Sequence, residues 1–301
     1  MKTTPTNYLA TAAALLLTAA SGNAAILAYT IGGNGNTLVS FDIANPGLTT
    51  VVGTVSGAVS NLAGIDFRPA DGLLYGFDNT TGGQIVTINP NTAFTTLVST
   101  SSTNSSSGNL GIDFNPVADR LRLVNVLDQN LRINVDTGAA TVDGALAYAA
   151  GDPNAGVGPS IIDAAYTNSD TNPGTGTTLY YIDNGTDTLV STSVPNNGVL
   201  GTVGSLGFNT NDRTGFDILS DGAGGNLGYA LLTSPAGVAS FHSINLSTGA
   251  ATNLGAIGQS AVRPYGLAIT QTASVPDGGA TIALLGIALG GVFAARRKCG
   301  V

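Results

Sequence analysis

Short runs of alternating apolar and polar residues fill the chain from position 26 to about 272, and turn residues separate them. The runs are rich in Val, Ile, Leu, Thr and Tyr, which favour β-strands. The separating segments are rich in Gly, Asn, Asp and Pro, which suit tight turns. Glu is absent from the whole chain and Lys occurs only at positions 2 and 298, so this region lacks two good helix formers. We therefore predict an all-β domain over residues 26–272.

A unit of roughly 50 residues repeats along this domain. The segment NLAGIDFRPADGLLYGF at 61–77 recurs as NLGIDFNPVADRLRLVN at 109–125, and weaker copies lie at 160–183 and 213–232. One aspartate aligns across the four copies, at Asp66, Asp113, Asp163 and Asp217. Each full unit contains four strand signals, which is the content of one blade of a β-propeller.

The two ends of the repeat array predict how the propeller closes. Residues 25–55 contain three strand signals and lack the first, whereas residues 265–270 contain a first strand alone. Together they complete one blade, so we predict five four-stranded blades closed by pairing of the N- and C-terminal strands. A six-bladed ring and a pair of β-sandwiches are the alternatives.

Both ends of the chain have the pattern of export signals. Residues 1–25 contain the positive residue Lys2, an apolar run over 9–20 and then small residues, which predicts a cleavable signal peptide. Residues 280–295 are apolar and uncharged, which predicts a transmembrane helix about 24 Å long. The basic residues 296–298 follow directly and are expected to stay cytoplasmic. Residues 273–301 therefore form a predicted sorting tail.

The residues before this helix carry a recognisable motif. Val275, Pro276 and Asp277 precede the helix and the basic stop, and this order resembles the PEP-CTERM class of sorting signals, close to its VPDSG variant. The resemblance implies transient anchoring in the inner membrane, cleavage near Pro276 and Asp277, and release to the cell surface or extracellular matrix. Signal peptidase and an exosortase are the implied processing partners. A plain single-pass anchor is the alternative.

The middle of the chain also resembles a known family. The strings GIDFNP, ADRLRLVN, NLRINVDTG and AYTN, all within residues 111–168, are similar to a bacterial domain-of-unknown-function family, number 4394. The resemblance covers roughly residues 29–270. It implies a propeller-like fold, and it implies no activity.

The composition excludes several kinds of chemistry. Residues 26–275 contain six Arg and 17 Asp, a net charge of −11 that argues against nucleic-acid binding. They contain no Cys or Lys, so thiol nucleophiles and Schiff bases are excluded. The only histidine, His242, lies on a predicted strand beside Ile244, and we expect a structural rather than a catalytic role. No organic cofactor is expected, and Ca²⁺ is the ion that the Asp- and Asn-rich turns could hold, although none has EF-hand spacing.

The four aligned aspartates have two interpretations. They fall on the strand predicted to line the propeller axis, so a ring of axial carboxylates could bind a cation or a substrate. Alternatively, each carboxylate accepts hydrogen bonds that join its blade to the next. Repetition in every copy favours the structural interpretation.

The third blade departs from the repeat, because three arginines fall within 13 residues there. Arg120 and Arg122 share one strand face, and Asn130, Arg132 and Asn134 share one face of the next strand. A three-residue loop over 127–129 predicts Arg122 opposite Asn134 and Arg120 opposite Asp136. We interpret this strip as a candidate site for a carboxylate, sulfate or uronic acid, with Tyr148, Asp152 and Tyr166 nearby in the sequence. An internal Arg-Asp-Asn network at a blade interface is the alternative.

These features predict an exported, non-enzymatic surface or matrix propeller that binds an exopolysaccharide or a surface protein, or that serves as a coat component. The alternative is a calcium-dependent propeller hydrolase of the lactonase kind that uses Asp carboxylates.

Overall fold

The computed structural model describes residues 25–258 and 264–270 of the 301-residue chain. The predicted signal peptide, apart from Ala25, and the predicted sorting tail lie outside the described residues. Within the described ranges, no helix is long and apolar enough to cross a membrane.

The described chain folds into 22 strands and two short 3-10 turns, Pro173–Thr175 and Pro195–Asn197. In chain order the strands are β1 (Leu27–Gly32), β2 (Thr37–Asp42), β3 (Thr49–Thr54), β4 (Ser56–Gly57), β5 (Gly64–Phe67), β6 (Leu74–Asp78), β7 (Gln84–Ile88), β8 (Phe94–Thr100), β9 (Leu110–Asn115), β10 (Arg120–Asn125), β11 (Asn130–Ile133), β12 (Ala140–Val142), β13 (Ala147–Tyr148), β14 (Ile161–Tyr166), β15 (Leu179–Asp183), β16 (Thr188–Thr192), β17 (Val199–Ser205), β18 (Gly215–Ser220), β19 (Asn226–Thr233), β20 (Ala239–Ile244), β21 (Ala251–Ala256) and β22 (Tyr265–Ile269).

These strands form five antiparallel blades around an axis. Blade 1 has the order β22-β1-β2-β3, blade 2 β5-β6-β7-β8, blade 3 β9-β10-β11-β12, blade 4 β14-β15-β16-β17 and blade 5 β18-β19-β20-β21. The first strand of each blade is the inner one, and each inner strand contacts the inner strands of both neighbouring blades. The fold is therefore a five-bladed β-propeller, as predicted, and neither a six-bladed ring nor a pair of sandwiches.

Strand β22 closes the ring. It pairs antiparallel with β1, with Ala28 opposite Ile269 and Tyr29 opposite Ala268. The ends of the propeller sequence thus share one sheet, as the incomplete repeats at both ends predicted.

The hydrophobic core lies in the seams between blades, where the apolar side chains form five clusters. Between blades 3 and 4, for example, Val124 packs in one cluster with Ile161 and Tyr181. Each blade therefore buries both of its faces, which explains strands that are buried along most of their length.

The outer strands of the blades are protected from edge-to-edge pairing with other chains, but not by charged side chains. None of β3, β8, β12, β17 and β21 contains a charged residue, although charged side chains commonly guard sheet edges. Four of these strands carry a β-bulge against their neighbour, and the fifth, β12, has only three residues. The short parallel strands β4 and β13 also cover the beginnings of β8 and β17. Bulges and short edges therefore replace charge as the defence against edge pairing.

A glycine near the beginning of an inner strand permits close approach at the axis. A Cβ on Gly111 would lie 2.3 Å from Cα of Asp163 and 2.8 Å from the amide nitrogen of Ala164. These are backbone atoms of the neighbouring inner strand, so no side chain can be accommodated here. Glycine at position 111 is therefore a packing requirement where the inner strands of blades 3 and 4 meet.

Candidate functional site

A cavity of about 220 Å³ opens between blades 3 and 4, on the face where the inner strands end. We call it the arginine pocket. It is lined by Asn115, Ala118, Arg120, Arg122, Arg132, Tyr166, Pro195 and Asn196. The three arginines come from β10 and β11 of blade 3, and the remaining walls come from the β9–β10 turn and from blade 4.

Arg122 is the rigid floor of the arginine pocket. Its side chain is 2% exposed, and its guanidinium uses four of its five N–H donors. Its Nη1 donates to Asn130 and Asp143, both at 2.7 Å. Its Nε donates to the Tyr166 hydroxyl at 3.2 Å, and its Nη2 donates to the Asn196 side-chain oxygen at 2.8 Å. The last two bonds cross from blade 3 to blade 4.

Arg132 and Arg120 differ in their pairing. Arg132 forms a two-point ion pair with Asp143, Nε to Oδ2 at 2.7 Å and Nη2 to Oδ1 at 3.0 Å. Arg120 donates through Nη1 to the backbone oxygens of Ala118 and Asp119, and no described carboxylate lies within 4.0 Å of its guanidinium. The three arginines of the pocket therefore share one paired carboxylate, that of the buried Asp143 behind the lining, which leaves a formal excess of two positive charges.

The pairing of β10 with β11 differs from the prediction. Arg122 lies opposite Arg132, and the loop covers residues 126–128 rather than 127–129. The side-chain oxygen of Asn125 accepts the amides of Leu127 and Gln129, and this local turn begins the loop one residue earlier. The predicted partners Asn134 and Asp136 are consequently shifted by two residues.

This shift separates Asn134 and Asp136 from the arginine pocket. Asn134 caps the β11–β12 turn by accepting the amides of Asp136 and Thr137. Asp136 pairs with Arg68 of blade 2, at 2.9 Å, and not with Arg120. The prediction that Arg120 faces Asp136 was wrong, because a shift of one loop residue moves every cross-strand partner.

Asn130 lies behind the pocket rather than in its wall. Its oxygen accepts Arg122 Nη1, and its amide donates to the backbone oxygens of Gly144 and Pro195. It therefore fixes Arg122 and also attaches the 195–197 turn of blade 4 to blade 3. This turn brings Asn196 into the pocket, and the sequence contains no signal for that contact.

Of the three residues that lie nearby in the sequence, one lines the pocket. Tyr166 does so from the end of β14. Tyr148 donates its hydroxyl to Asp183, and Asp152 accepts the amide of Thr202 at 2.7 Å. The latter two belong to contacts within blade 4.

A second cluster, the axial triad of Asp66, Asp113 and Asp217, lies at the centre of the ring. One carboxylate oxygen from each residue lies within 4.8 Å of the others, and all three side chains are buried. Each accepts an amide hydrogen from a neighbouring inner strand. These amides belong to Phe114 at 2.9 Å, Tyr166 at 3.2 Å and Ile269 at 2.6 Å, respectively.

Asp163 is not equivalent to the axial triad. Asp66 accepts the amide of Phe114, the residue after Asp113, whereas Asp113 accepts the amide of Tyr166, the third residue after Asp163. Asp163 thus lies two residues before the expected position, where its Oδ2 accepts the amide of Phe216 at 2.8 Å. It still links blade 4 to blade 5, but from a different level of the axis.

Burial raises the pKa of these carboxylates. Desolvation raises the pKa of Asp66, Asp113 and Asp163 well above the ordinary value of an aspartate. For Asp66 and Asp113, the negative charges of the other axial aspartates raise the pKa further. Desolvation also raises the pKa of Asp217 to about 6, against two backbone hydrogen bonds that lower it. Three carboxylates so close together favour protonation of at least one of them.

The axial triad has the oxygen chemistry that Ca²⁺ prefers, but its ligand set is small. Calcium takes about six to eight oxygens. Asp66 and Asp217 already use both of their oxygens as acceptors of backbone amides. The linking hydrogen bonds are what the structural interpretation requires, and the same three residues are the candidates for an axial cation.

His242 contacts Ser240 and an aromatic ring. Its Nε2 lies 2.8 Å from the Ser240 hydroxyl, and its ring packs edge-on against Phe208. Its Nδ1 has no hydrogen-bond partner among the described residues. Both His242 and Ser240 are buried, so this pair does not present a nucleophile to a substrate.

Several solved structures are similar to the chain at low sequence identity. A "putative 6-phosphogluconolactonase" from Bacteroides uniformis is 11% identical, with a TM-score of 0.41 over 78% of this chain and 83% of that one. A structural genomics protein of unknown function from Bacteroides thetaiotaomicron is 13% identical, with a TM-score of 0.47 over 81% of this chain and 67% of that one. A "putative TolB" from Agrobacterium tumefaciens is 11% identical, with a TM-score of 0.41 over 77% and 83%. At these values the likeness carries no argument about activity.

Comparison of sequences identifies both parts of the chain. No curated protein matches it. A VPDSG-CTERM motif matches residues 274–299, and this sorting motif indicates an exported, cell-surface protein that is processed by an exosortase-type system. A second family model matches residues 37–268, which is nearly all of the propeller. The chain therefore belongs to the domain-of-unknown-function family DUF4394.

Proposed function

We propose that this exported propeller is a non-enzymatic binding protein whose arginine pocket holds a carboxylate or sulfate group of an extracellular ligand. The observation that carries the proposal is the excess of arginine over aspartate in a cavity between two blades. Asp143 and Asn130 complete an internal network with Arg122 and Arg132, whereas Arg120 has no carboxylate partner among the described residues.

The arrangement of the arginines favours binding. Asp143 and Asn130 hold the guanidinium groups of Arg122 and Arg132, so little conformational entropy is lost when an anion enters. Arg120 has the spare donors. A guanidinium presents N–H pairs that match the two oxygens of a carboxylate or sulfate.

The pocket lining argues for binding rather than catalysis. Its described side chains include three arginines, one tyrosine and two asparagines, and none is a carboxylate, histidine or serine. General acid–base catalysis needs a group that titrates near the working pH. A calcium-dependent hydrolase working at the axis is the alternative, but Asp66, Asp113 and Asp217 are each no more than 3% exposed, which leaves a substrate little access.

The route to the surface is also part of the proposal. The predicted helix at 280–295 would anchor the chain transiently in the inner membrane, and cleavage near Pro276 and Asp277 would release it. The ligand would then be an exopolysaccharide or a component of the cell surface.

Isothermal titration of the purified protein with glucuronate, sulfate and glucose tests this function. We expect saturable binding of glucuronate or sulfate and none of glucose. Arg120→Gln should weaken binding at least about tenfold, because a charge-assisted hydrogen bond contributes about 1.5–3 kcal/mol. Arg213→Gln is the matched control, since Arg213 stacks on Tyr265 in another part of the ring. The function is wrong if neither anion binds, or if both variants lose affinity equally.

A further inference from the structure

We infer that the arginine pocket takes a hydroxylated ligand bearing a single carboxylate, such as a sugar acid, and discriminates against polyanions. This inference rests on the proposed function and concerns the class of ligand. Three features carry it: the number of free donors, the chemistry of the other walls and the charge around the mouth of the pocket.

The free donors of Arg120 match one oxyanion. Arg122 has a single N–H left, whereas Arg132 keeps both N–H groups of Nη1 and one of Nη2 without an acceptor among the described residues. Arg120 retains its whole Nε–Nη2 edge, because its bonds to Ala118 and Asp119 use Nη1 alone. One edge of that kind binds one carboxylate through two parallel hydrogen bonds.

The other walls suit an uncharged, hydroxylated body. Pro195 and Ala118 are apolar. The side-chain amide nitrogen of Asn196, Nδ2, donates to no residue in the described ranges. Such an amide can pair with a hydroxyl or carbonyl oxygen. The volume of about 220 Å³ is below the range of pockets that bury drug-sized ligands, roughly 300–1,000 Å³. The pocket therefore fits one sugar-sized unit rather than a segment of a polymer.

An acidic rim borders the pocket on the side of blade 2. The β9–β10 turn that supplies Ala118 also carries Asp119, which pairs with Arg68 at its other side. Arg68 is shared with Asp71 and Asp136 as well, so three carboxylates surround one guanidinium and leave two excess negative charges. Asp136 is 60% exposed, so its charge acts on ligands that approach this side of the pocket.

The whole domain adds to this repulsion. Residues 26–275 carry a net charge of −11, and the loops after β14 and β18 place Asp170 and Asp221 on the same face as the pocket. A polyuronate bears one charge per sugar, so its neighbouring charges lie within one Debye length, about 8–10 Å, of this acidic surface. A lone carboxylate meets the local positive excess alone. Discrimination between the two therefore follows from where the charges lie.

The test compares glucuronate with polygalacturonate, by titration at about 20 mM and about 200 mM salt, which changes the screening length roughly threefold. We expect glucuronate to bind more tightly per carboxylate, by about tenfold or more at low salt. Added salt should weaken the binding of glucuronate and narrow the difference in affinity between glucuronate and polygalacturonate. Screening reduces both the attraction to the arginines and the repulsion from the acidic surface. Asp136→Asn should improve polygalacturonate binding several-fold and change glucuronate little. Asp212→Asn, with the same change in net charge beside the beginning of β18 on the opposite face, is the control.

The outcomes separate the two proposals. If wild-type protein binds neither compound, the binding function itself fails. If polygalacturonate binds as tightly per carboxylate as glucuronate, or more tightly, while Arg120→Gln abolishes both, the binding function stands and the preference for a single charge is wrong. Equal responses of Asp136→Asn and Asp212→Asn would contradict the role of the acidic rim.

Discussion

Arg122 of blade 3 donates a hydrogen bond of 2.8 Å to the side-chain oxygen of Asn196 of blade 4, which lies 74 residues further along the chain. Replacing Arg122 by Met removes this link and also leaves Asp143, 5% exposed, with Arg132 alone. We expect the free energy of unfolding to fall by about 3–5 kcal/mol, the usual cost of breaking a buried ion pair from one side. Urea unfolding measures it. Arg120→Met, at the more exposed arginine, should change stability by less than about 0.5 kcal/mol, and equal effects of the two variants would contradict the division of roles.

The same residues show which features of the fold and the pocket could be predicted from the sequence. The number of blades and their closure could be predicted, because repeat length and the incomplete end units are properties of the sequence. Arg120, Arg122 and Arg132 could also be grouped, since they lie within 13 residues. Asn196 could not be added to them, because its contact depends on how two blades pack. The partners of Arg122 were mispredicted because a side chain, that of Asn125, determines where the β10–β11 loop begins.

Blade 4 gives a second example of this limit. Asp163 matches the repeat by its position in the sequence, yet Asp113 accepts the amide of Tyr166 rather than that of Ala164, so Asp163 lies two residues away from its expected level. Its role as a link to Phe216 is retained. Alignment by residue type thus predicted the kind of interaction and not the geometry, and the axial triad has three members rather than four.

The raised pKa of the axial aspartates predicts a stability that falls as the pH rises. Asp217 has an ordinary pKa of 3.8 and a folded-state pKa of about 6, so between these values the folded state binds more protons than the unfolded state. Its contribution is fully present below about pH 3.8 and is lost as the pH rises through 6, on the order of 3 kcal/mol. Asp66 and Asp113 act in the same direction.

A pH series of thermal unfolding measures this effect. Asp119 works in the opposite sense below pH 4, because Arg68 lowers its pKa, so maximum stability is expected near pH 4–5. We expect a lower melting temperature at pH 7.5 than at pH 5. A melting temperature that rises steadily from pH 5 to pH 7.5 would show that the axial charges are neutralised by another means.

Removing one axial charge should stabilise the propeller at neutral pH. Asp113→Asn keeps an oxygen that can accept the Tyr166 amide while it removes one of three crowded charges. We expect a higher melting temperature at pH 7.5 and a weaker dependence on pH. Asp163→Asn is the contrast, because Asp163 accepts two backbone amides through different oxygens and the variant loses one of them. Its expected cost is about 1–3 kcal/mol. Stabilisation of the wild type by Ca²⁺ at pH 7.5, absent from Asp113→Asn, would instead support the axial cation site.

Gly111 should tolerate no side chain. In Gly111→Ala, the new Cβ would meet backbone atoms of Asp163 and Ala164, which cannot rotate away. We expect a loss of at least about 3 kcal/mol, the upper end of the cost of overpacking. Gly158→Ala is the control, since a Cβ there meets no atom within 4 Å. Urea unfolding of both variants decides the matter, and equal stabilities would mean that the inner strands lie further apart at the axis.

Because β22 closes the ring, we expect a short C-terminal truncation that removes this strand to destabilise the whole propeller. A chain ending at residue 258 loses the buried side chains of Leu267, Ala268 and Ile269 and leaves Asp217 without the Ile269 amide. It also exposes the edge of β1, whose unpaired backbone groups can then pair with a strand of another chain. We expect this truncated protein to self-associate and to unfold without a sharp transition, by size-exclusion chromatography and thermal melting. A chain ending at residue 272 retains β22 and should behave as a folded monomer. If both truncations melted alike, pairing between the chain ends would contribute nothing to the stability of the propeller.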